Sequence, residues 1–179
     1  MSGKMKGIHR QFQKLEHKRE KLMLQILPLT EAEYSKRPSP GSWSAIEAAN
    51  HVFLSEKLSL AYLKKKMVYP DTIPPFHFTS WGGVLLIKLV FGTGYKWNAP
   101  ETIDMRHQQP VLTPVELNTQ WPLQRQEMLA FIESHQATLG SHLAYRHPYA
   151  GRMTMHQMLI FLNDHLRHHM KQVDRILRK

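Results

Sequence analysis

The run from Met153 to Arg178 constrains this chain more than any other stretch, because Met155, Met158, Leu162, His165, His169, Val173 and Ile176 recur every three or four residues. That period places all seven on one face of an α-helix. Two of the seven are histidines one turn apart. A four-residue step rises about 6 Å and returns the chain near the same azimuth, so both imidazoles can reach one point. An earlier run, Trp43 to Tyr62, puts His51 in line with Leu54, Leu58 and Tyr62, and it too is expected to point inward. An imidazole without a partner is costly in an apolar interior. Two explanations stay open: core histidines satisfied by backbone carbonyls or buried water, or three imidazoles gathered around one ion at roughly 2 Å. With 12 histidines in 179 residues, a pair at this spacing is expected by chance, so the metal reading rests on the apolar stripes and not on the spacing.

Helical periodicity dominates the rest. Three helix starts carry a capping box, in which a hydroxyl and a carboxylate or amide satisfy orphan amides reciprocally: Ser44 with Glu47, Thr113 with Glu116, and Thr154 with Gln157. Pro114 suits a first helical position, where no amide donor is missed. Long helices are predicted over about 5–27, 44–66, 114–138 and 154–177, with a shorter turn after Thr30 that ends before Pro38. Between the second and third long helices lies a segment holding Pro70, Pro74, Pro75, Pro100 and Pro110. It is too long for a hairpin connection and is expected to cross or cap a bundle. Its middle, Ser80 to Phe91, reads as a short helix lidding a pocket, in preference to a strand or a membrane-surface element. The length of 179 residues fits one domain, 1–179, without repeats.

Composition narrows the chemistry. With no cysteine there is no disulfide, no thiolate ligand and no protein thiol nucleophile. The start, Met1-Ser-Gly-Lys-Met-Lys, lacks the apolar run of a signal peptide, and Val84 to Phe91 is too short to span a bilayer, so a cytoplasmic location without a membrane partner is expected. The formal charge of +10 is spread over both termini, Lys64 to Lys66 and helix surfaces, without the aromatic interleaving that stacks bases. Nucleic acid is therefore not expected as a partner. The charge reads as solvated helix faces that also attract anionic substrates.

Several side chains have competing readings. Glu47 is assigned to its cap in preference to a general base. Asp164 is a candidate to orient an imidazole only from a neighbouring turn, Gln172 either hydrogen-bonds in the pocket or faces solvent, and His168 flanks the site or is exposed. His156 falls off the stripe. The ten methionines read as core filler. Trp81 and Trp97 are candidate pocket walls, whereas Trp43 and Trp121 read as seals at bundle ends. No Ser-His-Asp order, phosphate loop or dinucleotide fingerprint is present.

Three blocks together, Trp43-Ser-x-x-Glu-x-x-x-His51, His147-Pro-x-x-Gly151-x-Met-Thr154 and His165-x-x-x-His169-x-x-Gln172, resemble the signature of the DinB/YfiT-like metalloenzyme superfamily in order and spacing. The linker Tyr95-Lys-Trp-Asn-Ala-Pro100, followed by Pro110, resembles its connector before the third helix. The resemblance implies an all-α fold, a four-helix bundle with long crossover connections, and metal ligands His51, His165 and His169 holding nickel or zinc with water completing the shell. It also implies a metal-dependent enzyme that is either a transferase using a low-molecular-weight thiol or a hydrolase of a small substrate. Three neutral ligands leave an ion its full charge and an open position, the style of a catalytic site. The rival from another class is a non-enzymatic helical binding module whose basic surface contacts nucleic acid or another acidic partner. Bundles of this size often pair, so a homodimer is considered.

Overall fold

A computed structural model describes residues 3–93, 103–105 and 111–178. The chain is mostly helical, with one two-stranded sheet among the described residues. Its long helices are α1 (Gly3–Ile26), α3 (Ala45–Met67), α5 (Pro114–Ser134) and α7 (Met155–Leu177). Shorter pieces are α2 (Glu31–Tyr34), a 3₁₀ turn at Pro70–Thr72, α4 (Ser80–Thr93) and α6 (Gln136–Leu139). None of the described helices is long and apolar enough to cross a membrane.

The caps fall where the sequence puts them. Ser44, Thr113 and Thr154 each accept from the amide three residues on, while Glu47, Glu116 and Gln157 reach back to the capping residue's own amide. These boxes fix where α3, α5 and α7 begin, and so which residues reach the interior. On α7 the whole predicted stripe, Met155, Met158, Leu162, His165, His169, Val173 and Ile176, is buried. On α1, Ile8, Phe12, Leu15, Leu22 and Ile26 form the matching apolar face. Helix α7 is the hub: it packs against α1, α3 and α4, while α5 lies against α3 and α1.

Three local features depart from the sequence reading. The stripe proposed for α3 is displaced: Leu58 is exposed, and Leu60 and Leu63 face the core instead. His51 is buried all the same, because every residue from Ala45 to Phe53 is enclosed by neighbouring elements. The third predicted helix stops at Ser134, where His135 leaves helical geometry (φ −116°, ψ 23°), and a single further turn forms α6.

The third departure is a hairpin before α7. Strands β1 (Tyr145–His147) and β2 (Gly151–Met153) pair antiparallel, with Tyr145 opposite Met153, Arg146 opposite Arg152 and His147 opposite Gly151. The loop is Pro148, Tyr149 and Ala150, and Gly151, the first residue of β2, takes the left-handed φ of +73° that lets the chain turn back. The His147 ring closes the loop: its Nδ1 accepts from the amides of Tyr149 and Ala150, both at 3.2 Å.

Candidate metal centre

The structure brings His51, His165 and His169 together as a buried cluster able to hold a metal ion. They are 4 %, 7 % and 6 % exposed. His165 Nε2 stands 3.1 Å from His51 Nε2 and 3.1 Å from His169 Nε2. Nitrogens bound at 2.0–2.1 Å in a tetrahedral shell lie about 3.3 Å apart, so the spacing is near what an ion requires.

A count of hydrogens tests the fit more sharply. His51 Nδ1 is 2.8 Å from the carbonyl oxygen of Ile103, which can only accept, so this nitrogen carries the proton. His169 Nδ1 likewise donates to Gln172 Oε1 at 2.9 Å. Burial lowers the pKa of His51 to about 4 and those of His165 and His169 well below the ordinary value, so all three rings are neutral. The Nε2 atoms of His51 and His169 are then bare lone pairs, both aimed at His165 Nε2. That nitrogen has at most one hydrogen and can satisfy only one of them. The cluster has more acceptors than donors, a deficit that a divalent cation removes and that no hydrogen bond among the three rings can.

The surroundings hold the rings in place. Trp43, just before the Ser44 cap, lies over His51 with ring centroids 4.6 Å apart and stacks on His169 at 6.0 Å. Its indole N–H donates to Asp104 Oδ1 at 3.3 Å. Phe161, one turn before His165, stacks on that imidazole at 5.6 Å, and His147 meets Phe161 edge-on at 4.6 Å. His168 is half-buried on the flank, 5.1 Å from His169 ring to ring. The hydrogen bonds to the Ile103 carbonyl and Gln172 set the tautomer and basicity of the nitrogens on the far side of the His51 and His169 rings.

Other candidates go elsewhere. Glu47 serves its cap at 2.7 Å from Ser44 N and pairs with Arg37, which leaves it no imidazole. Asp164 binds Arg167 at 2.8 Å. Trp81 stands beside His156, about 13 Å along α7 from His165, and walls no part of the cluster. Trp97 lies outside the described residues. The proline-rich connection does reach the site, through Ile103 and Asp104, but it arrives as a backbone acceptor and a carboxylate. Trp43, read from sequence as an end seal, instead covers two of the histidines. Its place in the first resembling block was the available signal. Ile103 and Asp104 had none.

The family model of the DinB superfamily matches residues 14–173. The chain belongs to the DinB superfamily. Comparison with curated proteins and with solved structures gave no significant match. The matched region contains all three histidines of this DinB-superfamily chain, together with Trp43 and Gln172.

Proposed function

We propose that this DinB-superfamily protein is a metal-dependent enzyme in which His51, His165 and His169 hold one divalent ion, nickel or zinc, in a single domain spanning residues 1–179. In this reading the four long helices form a four-helix bundle with long crossover connections, and the protein works in the cytoplasm on a small molecule. The observation that carries it is the surplus of lone pairs among three converging, neutral imidazoles. When bound, the ion supplies Lewis-acid activation of a water or a low-molecular-weight thiol, which gives hydrolysis of a small substrate or thiol-dependent S-transfer.

The chain's own residues do the rest. The Ile103 carbonyl and Gln172 Oε1 hold the Nδ1 protons of His51 and His169, which keeps both Nε2 atoms free to donate. Trp43 and Phe161 cover the rings and exclude bulk water, so charge inside the site is weakly screened.

Elemental analysis of untagged protein tests the assignment. The wild type should carry a stoichiometric divalent metal, and His169→Ala should lose metal and turnover together while remaining helical. Full metal occupancy and full activity in His169→Ala would overturn the mechanism. Turnover of small electrophiles only when a thiol is added identifies the transferase, and thiol-independent turnover identifies the hydrolase. Salt-sensitive DNA binding by a protein that never takes up metal would instead favour the basic binding module.

A further inference from the structure

Helix α4 inverts the usual pattern of a surface helix. Its inner face, Val84 and Ile87, is buried against the fold, as the helix packs on α7 and β2. Its outer face should then be polar. Instead Trp81, Leu85 and Leu89 follow one another at four-residue spacing and are 45 %, 58 % and 60 % exposed, with Leu86 at 49 % beside them. Phe78, just before the helix, is 72 % exposed. A contiguous exposed apolar surface of this kind marks an interaction site.

Charge selects what it meets. No acidic residue occurs from Thr72 to Pro100 or from Ser134 to Asn163, the stretches that contain α4, the hairpin and the start of α7. The cations there are exposed: Lys88 on α4, and Arg146 opposite Arg152 on the solvent side of the hairpin, whose strand mates Tyr145 and Met153 face inward. Like charges directly opposite each other on a strand pair are unfavourable, and neither arginine has an ion pair among the described residues. The hairpin is fastened to α4: Gly83 has no room for a side chain, since a Cβ there would come within 2.0 Å of the Ala150 carbonyl oxygen. Helix α4 and the hairpin therefore form one rigid unit, with the arginines and the apolar stripe both on its exposed surface.

We propose that α4 and this hairpin attach the protein to the surface of an anionic lipid bilayer, with Phe78, Trp81, Leu85 and Leu89 entering the acyl boundary and Lys88, Arg146 and Arg152 meeting phosphate headgroups. Aromatic and leucine side chains beside basic residues are the composition of an interfacial helix. Helix α4 lies on the bilayer and does not cross it, being about 21 Å long against a hydrocarbon core of roughly 30 Å. A second copy meeting the same face would oppose cation to cation. Nucleic acid would satisfy the arginines and leave the leucines in water.

Flotation of the full chain with vesicles tests this, using phosphatidylcholine alone or mixed equally with phosphatidylglycerol. Binding is expected to the mixed vesicles only, weakened by high salt. The double variant Leu85→Gln/Leu89→Gln, whose targets are exposed and whose fold is checked by circular dichroism, should bind at least about tenfold more weakly. Arg146→Gln/Arg152→Gln should reduce the preference for the anionic vesicles. The proposal is overturned if the wild type fails to bind the mixed vesicles, or if the leucine variant binds them as well as the wild type. It is equally overturned if sedimentation shows a dimer that the leucine variant abolishes while neither protein floats.

Discussion

Two buried polar clusters sit in this interior, and they are satisfied in opposite ways. Between α1, α3 and α5, Arg125 grips Glu56 with two bonds of 2.7 and 2.6 Å and reaches Glu16 at 3.0 Å. Trp121 adds an indole N–H to Glu56 at 2.7 Å, and Arg19 approaches Glu16 at 3.3 Å. Two carboxylates face two guanidiniums, and every bond has a donor and an acceptor. Between α3 and α7 the three neutral histidines have the Asp104 carboxylate nearby but more lone pairs than hydrogens where their rings converge. The first cluster is complete with protein atoms alone. The second has acceptors that its own three rings cannot satisfy, which is what suits it to hold a cation.

The largest effect should come from opening the complete cluster. Arg125→Ala leaves Glu56 buried without its partner and should cost about 3 to 5 kcal/mol, lowering Tm by on the order of 10 °C. His165→Ala, measured without metal, should cost far less, since it removes a group from an already mismatched set. If the two variants melt at the same temperature in the presence of chelator, the contrast between the clusters is wrong. The next effect is metal linkage. A divalent ion at about a hundredfold excess over its Kd should stabilise the wild type by about 2.7 kcal/mol, visible as a rise of several degrees in Tm. His169→Ala should show no rise, whereas Arg125→Ala should keep its rise from a lower baseline.

The same comparison explains what could be read from the sequence. His165 and His169 were legible because α7 keeps one uninterrupted stripe and a Thr154 cap that fixes its phase. His51 was placed inside on a stripe that Leu58 breaks by being exposed, and it is buried because the whole first half of α3 is enclosed. Glu56 and Arg125 were not legible: they lie 69 residues apart, and each alone reads as part of a solvated charged face. Ile103 and Asp104 come from a connection with no period to extrapolate. Strands of three residues are too short for alternation to show.

Acid should separate the clusters again. The folded-state pKa of His51 is depressed to about 4 by burial, and those of His165 and His169 are held well below the ordinary value, again chiefly by burial. In the unfolded chain they titrate near 6.5. Between those values the unfolded state binds more protons, so stability is retained above about pH 6.5 and falls as pH drops toward 4. Each histidine contributes at most about 1.4 kcal/mol per pH unit in that window. Urea melts of metal-free protein at stepwise pH should show this slope, and His51→Ala should reduce it without abolishing it, since His165, His169 and His147, likewise depressed by burial, still titrate. A slope unchanged in His51→Ala would mean that His51 is not among the groups that sense the acid.

The smallest effect on stability should come from Gln172, and it is the most specific to metal. Its Oε1 accepts the Nδ1 proton of His169 at 2.9 Å near the end of α7, so Gln172→Ala should lower metal-free stability by only about 1 kcal/mol. Losing that acceptor frees the His169 tautomer and makes Nε2 a poorer donor, which should weaken metal affinity by about tenfold or more. Gln172→Glu supplies a stronger, charged acceptor in the same place and should restore or tighten binding. Isothermal titration with zinc or nickel measures all three proteins on one scale. If Ala and Glu at this position bind metal equally well, Gln172 does not act through His169, and the hydrogen count that singles out this cluster loses one of its two anchors.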